Sequence, residues 1–133
     1  MKIFITYKFV GENPEELERT LTEISDTLEK SGHEVYSAFT DEELFVKNNF
    51  SLKQILNHAL NKIDLCECVL VFVRSPEKTE GMLIEIGYAL AKKKKIILAT
   101  RKGAYFQFTQ EISDQVIEYE TLEELKEKLG ELK

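Results

Sequence analysis

Apolar residues recur along the chain in two alternating patterns, short continuous runs and stripes at helical spacing. The continuous runs over residues 2–7, 34–39, 68–73, 95–100 and 115–120 predict five β-strands. The run over 68–73 is apolar throughout, which is typical of a strand covered on both faces. Between the first two runs, Leu17, Leu21, Ile24 and Leu28 recur at helical spacing and predict an amphipathic helix. The chain therefore alternates strands with helices.

Helix start signals agree with this division. Asn13 and Pro14 suit the cap and first turn of the first helix, with Glu16 three residues beyond the cap. Further helices are predicted after Ser51, over 80–92 and after Thr121. Alternating strands and helices predict right-handed crossovers and a three-layer α/β fold. We expect a flavodoxin-like, five-stranded parallel sheet with strand order 2-1-3-4-5. The stretch 40–50 is acidic and has no clear pattern, but its aromatic residues suit a cover over an opening.

Length and composition narrow the class of protein. The 133 residues predict a single domain spanning 1–133, and 18 basic against 24 acidic side chains give a net charge of −6. A net acidic chain is a poor ligand for nucleic acid in bulk. Since neither a membrane-length apolar run nor a signal peptide is recognisable, we expect a cytoplasmic protein without membrane contact. Cys66 and Cys68 are too few for a closed zinc site, so no metal is expected. Neither a Gly-rich dinucleotide fingerprint nor a phosphate loop is present in the sequence, so no other cofactor is expected.

A ligand site is predicted at the carboxyl edge of the sheet. In folds of this type ligands bind where the strand order reverses, here between the first and third strands. Segments 6–9, 74–81 and 100–103 converge there. Arg74 and Ser75 are candidates for holding a phosphate, although an exposed pair at a strand end is an equal interpretation. The helix that begins at Glu80 also turns its N-terminus to this edge, which favours an anion.

Glu85 is the most informative residue of the predicted site. It is the only charged residue in the segment 81–91, whose apolar residues predict a helix that is buried all round. A carboxylate held in such surroundings is a candidate nucleophile, acid or base, because desolvation raises its pKa. The alternative is a glutamate that extends to solvent or accepts a backbone hydrogen bond.

Three segments carry a resemblance to a known family. Residues 2–7, 69–73 and above all 81–90 (GMLIEIGYAL) resemble the nucleoside 2-deoxyribosyltransferases over roughly residues 1–120. The resemblance implies that Glu85 attacks the anomeric carbon of a deoxynucleoside or its monophosphate, the base leaves, and water or a second base then takes the sugar. Phe4 to Tyr7 and Glu85 also resemble NAD-cleaving Toll/interleukin-1-receptor domains. A nucleotide-binding module without catalysis is a third hypothesis.

The same resemblance suggests roles for the neighbouring residues. The family carries an aspartate where an ungapped count places Ala59, beside His58. His58 is a candidate for protonating the leaving base, although an isolated helical histidine often has only a surface role. Tyr7 is a candidate for binding the sugar or positioning Glu85, or it packs beneath the covering segment. Glu80 is a shifted equivalent of a family acidic residue. The convergent segments add Thr6, Lys8, Gly81 and Met82 as substrate-binding candidates.

Aromatic residues follow the fourth strand. Tyr105, Phe106 and Phe108 present more apolar area than a short loop buries by itself. We therefore expect these side chains to contact a second subunit in a homodimer. The resemblance to the transferases separately implies that the protein binds a small nucleoside or nucleotide.

Overall fold

The computed structural model describes residues 1–104 and 106–133. Its centre is an all-parallel sheet with strand order β2-β1-β3-β4-β5. This confirms the predicted flavodoxin-like fold. The strands are β1 (Lys2–Tyr7), β2 (Glu34–Ser37), β3 (Cys68–Val73), β4 (Lys95–Arg101) and β5 (Gln115–Tyr119).

Helices cover both faces of the sheet. They are α1 (Pro14–Lys30), α2 (Glu42–Lys47), α3 (Leu52–Leu65), α4 (Glu80–Ala91), α5 (Gln107–Ile112) and α6 (Leu122–Gly130), and a 3₁₀ turn (Ala38–Asp41) precedes α2. Alternate residues of β1 point to opposite faces, so Ile3 and Ile5 pack beneath α1 and α6, whereas Phe4 packs beneath α3 and α4. No helix among the described residues has the length and apolarity needed to cross a membrane.

Most predicted helix starts are present. The Asn13 side chain accepts the backbone N–H of Glu16, and Ser51 and Gln54 form a complete capping box. The prediction for β2 is too long, because the chain leaves the sheet after Ser37 and turns into the 3₁₀ turn. That turn, α2 and α5 were not predicted from the sequence. Each is a single short turn or helix, too brief for an apolar periodicity to appear.

The prediction that α4 is buried all round is wrong. Met82, Ile86 and Ala89 pack into the core, but Leu83, Ile84 and Leu90 are 48%, 46% and 49% exposed. One face of the helix lies on β1, β3 and β4, and the opposite face, although apolar, is open. An apolar sequence on every side therefore does not require cover on every side.

Candidate active site

The Thr6 hydroxyl and the Glu85 carboxylate meet between β1 and α4. The hydroxyl oxygen donates to Oε1 of Glu85 at 2.6 Å. Thr6 points to this face because it follows Phe4 by two positions in the strand, and Glu85 lies on the second turn of α4. Both residues were predicted from the sequence to belong to the site, and the structure shows that they are in direct contact.

Burial dominates the electrostatics of Glu85. Removal from water raises the pKa of its carboxyl to about 7, and the hydrogen bond from Thr6 lowers that pKa in part. A carboxyl with this pKa exchanges its proton near neutral pH. The group is thus able to act as a nucleophile, an acid or a base.

Tyr7 extends from the same strand end toward the covering segment. Burial raises the pKa of its phenol well above the ordinary range, and the negative charges of Glu85 and Glu42 raise it further, while the backbone of Phe39 lowers it. The phenol is therefore neutral near pH 7 and can donate a hydrogen bond. Phe39 and Glu42 belong to the 3₁₀ turn and α2, so the acidic stretch does reach the site.

Lys8 and Arg74 are both engaged by carboxylates. The Lys8 ammonium contacts Glu77 at 2.7 Å, and the Arg74 guanidinium contacts Glu12 at 3.2 Å and Glu16 at 3.3 Å. Sequence reasoning missed these three glutamates as partners. Only Glu12 carried a signal, since it follows Lys8 by four residues, and Lys8 contacts it at 3.9 Å.

These side chains border a cleft at the carboxyl edge of the sheet. The residues lining it are Tyr7, Lys8, Glu12, Leu17, Phe72, Val73, Arg74, Ser75, Glu77, Met82 and Phe106. Five of them were substrate-site candidates from the sequence. The free volume is about 10 Å³, room for about one water molecule. A nucleoside can enter only after side chains such as Lys8 and Glu77 move apart.

The first turn of α4 faces the same edge. Thr79 caps the helix and accepts the backbone N–H of Met82 at 3.4 Å, while the Met82 side chain is in the core. Glu80 and Gly81 are both exposed. The Thr79 hydroxyl therefore already accepts one of the free backbone N–H groups that were predicted to bind an anion.

His58 contacts the covering segment. Its Nε2 lies 2.9 Å from Oδ2 of Asp41, and its ring meets Phe45 and Phe50 edge-on at centroid distances of 5.3 and 6.3 Å. Sequence reasoning missed Asp41, which lies 17 residues away in the stretch without a pattern. Ala59, where the resemblance implies an aspartate, is buried in the core.

The aromatic residues after β4 do not act together. Phe106 is buried in the core and so is not available to a second subunit, which corrects the prediction for that residue. Phe108 is 84% exposed. Tyr105 lies outside the described residues.

Metal ligands do not gather in the part of the chain that the structure describes. No group of three or more histidine, cysteine, aspartate or glutamate side chains there could hold a metal ion. Cys66 and Cys68 are buried, and burial raises the pKa of their thiols to about 11 and about 12.

The fold and the Glu85 environment define a flavodoxin-like domain with a carboxyl of raised pKa at the strand-order reversal. The model of the nucleoside 2-deoxyribosyltransferase family matches residues 9–122. The chain belongs to this family. Family membership supports cleavage or transfer at the N-glycosidic bond of a nucleoside.

Solved structures share the fold over nearly the whole chain. A CMP N-glycosidase from Clostridium botulinum superposes with a TM-score of 0.72 at 24% identity, covering 97% of each chain. A 2-deoxyribosyltransferase from Bacillus psychrosaccharolyticus superposes with a TM-score of 0.64 at 18% identity, covering 95% of this chain and 90% of the other. A comparison with curated proteins gives no significant match.

Proposed function

We propose that this protein cleaves or transfers the N-glycosidic bond of a deoxynucleoside or deoxynucleoside monophosphate, with Glu85 as the nucleophile. The observation that carries the proposal is the contact between Glu85 and Thr6 at the strand end, where burial raises the carboxyl pKa to about 7. A desolvated carboxylate beside a neutral hydroxyl is reactive toward a developing oxocarbenium ion.

In the first step, a carboxylate oxygen of Glu85 bonds to the anomeric carbon while the bond from that carbon to the base nitrogen breaks. The electron pair leaves with the base, which takes up a proton. We assign that proton to His58, whose Nε2 lies 2.9 Å from Oδ2 of Asp41 in the turn that also reaches Tyr7. Tyr7 donates a hydrogen bond to the sugar or to Glu85.

In the second step, water or the nitrogen of another base attacks the anomeric carbon, passes its proton to the His58 imidazole and releases the Glu85 carboxylate. Water gives hydrolysis, and a base gives transfer. Thr6 holds Glu85 in position before the attack and after its release, since its hydroxyl donates to the free carboxylate and partly offsets the effect of burial.

A phosphate on the substrate would bind at the other side of the strand end. Lys8, Arg74 and Ser75 line the cleft there, with Gly81 and Glu80 at the start of α4. Glu77, which is mostly exposed, would swing away and give Lys8 to the phosphate. Support for a monophosphate comes from the structural similarity to the CMP N-glycosidase of Clostridium botulinum.

The proposal is tested by incubating the protein with deoxynucleosides, their monophosphates and CMP, each with and without a second free base. Chromatography measures free base, free sugar and exchanged nucleoside. We expect base release that Glu85→Gln abolishes and that Glu118→Gln, an exposed substitution on β5, leaves unchanged. Release that persists in Glu85→Gln would refute the nucleophile.

NAD is included in the same assay as a competing substrate. Nicotinamide release without base release from any nucleoside would favour the resemblance to NAD-cleaving domains. Binding of a nucleotide in calorimetry, with turnover of none of these compounds, would favour a non-catalytic binding module.

A further inference from the structure

Glu12 lies between the two cations that line the cleft. Its Oε2 is 3.2 Å from the Arg74 guanidinium, and its Oε1 is 3.9 Å from the Lys8 ammonium. The two cations follow different strands, since Lys8 comes after β1 and Arg74 comes after β3. The side chains of Lys8, Glu12 and Arg74 are only 17%, 21% and 22% exposed. A single carboxylate that contacts two cations at the strand-order reversal occupies the position of a bound anion.

A tight turn brings Glu12 to this position. The backbone N–H of Glu12 donates to the carbonyl oxygen of Phe9 at 3.2 Å, and Gly11 has a φ of 81°, in the left-handed region that favours glycine. A Cβ added at Gly11 would lie 3.7 Å from the Lys8 ammonium, so the turn passes close to that cation. Glu12 precedes the Asn13 cap of α1 and belongs to no helix or strand. Its carboxylate can therefore move away from the cations without breaking a helix.

The other two carboxylates beside these cations have a different environment. Glu77 contacts Lys8 and Glu16 contacts Arg74, and the two glutamate side chains are 72% and 58% exposed. Exposed ion pairs of this kind contribute little free energy. Among the ion pairs of residues 1–104 and 106–133, Glu12 supplies the carboxylate that contacts both cations. The charge of Glu12 is thus the one that an anion in the cleft would encounter most directly.

The charge balance of the cleft opposes the entry of a phosphate. Lys8 and Arg74 supply two positive charges, whereas the carboxylates in contact with them, which are Glu12, Glu16 and Glu77, supply three negative charges. A phosphate monoester carries about −1.5 to −2 charges at pH 7. The free volume of the cleft is also only about 10 Å³. Movement of Glu12 out of the cleft would remove a negative charge and release space between the two cations.

We propose that the Glu12 carboxylate occupies the position of the substrate's phosphate, competes with it, and so sets the preference between a deoxynucleoside and its monophosphate. A phosphate binds only when Glu12 moves out from between Lys8 and Arg74, and the loss of those two contacts offsets part of the phosphate's binding free energy. An unphosphorylated nucleoside leaves Glu12 in place. The inference rests on the proposed function for the class of substrate, but the competition is a binding property that requires no turnover.

Calorimetric titration with inorganic phosphate tests the competition. Glu12→Gln keeps the size of the side chain and removes its charge, so it should lower the Kd for phosphate by about tenfold relative to the wild type. The matched control Glu16→Gln removes an exposed partner of Arg74 and should lower the Kd by less than about twofold. Circular dichroism checks that both variants are folded. Equal phosphate affinities in the wild type and Glu12→Gln, or binding by neither, would overturn the proposal.

Nucleotide binding provides a second test, which separates this inference from the proposed activity. Deoxycytidine and its monophosphate are titrated into Glu85→Gln with and without Glu12→Gln. The second substitution should shift the ratio of the two Kd values by about tenfold toward the monophosphate, and Arg74→Gln should cancel the shift, because one of the two cations is lost. Base release by the wild type without this shift would refute the competition alone. A shift without base release from any nucleoside would support the competition and refute the proposed activity.

Discussion

Glu85 and Glu77 lie near the same edge of the sheet and have opposite environments. Glu85 is partly buried, its hydrogen-bond partner is the neutral Thr6 hydroxyl, and burial raises its pKa to about 7. Glu77 is exposed and pairs with Lys8, whose hydrogen bond and charge lower the Glu77 pKa. A carboxylate that is shielded from water and bonded to a neutral group has a raised pKa and remains a reactive nucleophile. A carboxylate that is exposed and paired with a cation has a lowered pKa and is less reactive.

The largest expected difference between the two glutamates is in catalysis. Glu85→Gln should lower the rate of base release by about a thousandfold, because the nucleophile is lost while the shape of the site is kept. Glu77→Gln should change kcat by less than about threefold, since it removes only an exposed ion pair. Initial rates on the best nucleoside measure both variants. Similar losses of rate in both variants would contradict the assignment of Glu85, and not Glu77, as the nucleophile.

His58 and Asp41 should show the next largest effect. His58→Gln should slow base release by about a hundredfold if it supplies the proton to the leaving base. Asp41→Asn should produce a smaller loss, because the His58 ring loses the carboxylate that holds it in place. Full activity in both variants would mean that the pair only packs the covering segment against α3.

The fold was accessible from the sequence, whereas much of the site was not. The apolar run in β3 and the stripe in α1 report burial directly, so the strands and helices could be recognised. The expected strand order followed from five strands alternating with helices. Glu85 was identifiable because a single charge interrupts an apolar helix. The pairing of Arg74 with Glu12 and Glu16 was not, since surface charges have many possible partners and only the fold selects among them. The exposure of one face of α4 was not predicted for a related reason, because an apolar pattern does not show whether another element covers that face.

Folding stability separates the two glutamates in a different way. Below about pH 4.5 the Glu85 carboxyl is protonated in the folded and unfolded chains alike. Between about pH 4.5 and 7 the unfolded chain ionises first, so the folded chain loses stability, and the loss is complete above about pH 7. Because each pKa unit corresponds to about 1.4 kcal/mol, Glu85→Gln should raise the free energy of unfolding on the order of 3 kcal/mol at pH 8. The gain should vanish at pH 4. Urea denaturation at both pH values measures it, with Glu118→Gln as the exposed control.

Thr6 is the hydrogen-bond partner of Glu85, and its hydroxyl lowers the pKa of the Glu85 carboxyl. Thr6→Val removes that hydrogen bond with little change in volume. The ascending limb of the rate profile should move to higher pH by about one unit, because the ionised carboxylate loses a donor. Thr6→Ser should restore the wild-type limb. A loss of rate at every pH with no shift would make Thr6 a packing residue instead.

The smallest effect concerns the exposed ion pair and the identity of the substrate. Glu77→Gln frees the Lys8 ammonium, which otherwise lies 2.7 Å from the carboxylate. If Lys8 binds a 5′-phosphate, KM for the monophosphate should fall by about threefold while KM for the unphosphorylated nucleoside stays constant, and the difference should shrink at high salt. Lys8→Met should act in the opposite direction on the monophosphate alone. Equal changes in KM for both substrates would show that Glu77 and Lys8 restrict entry to the cleft without recognising a phosphate.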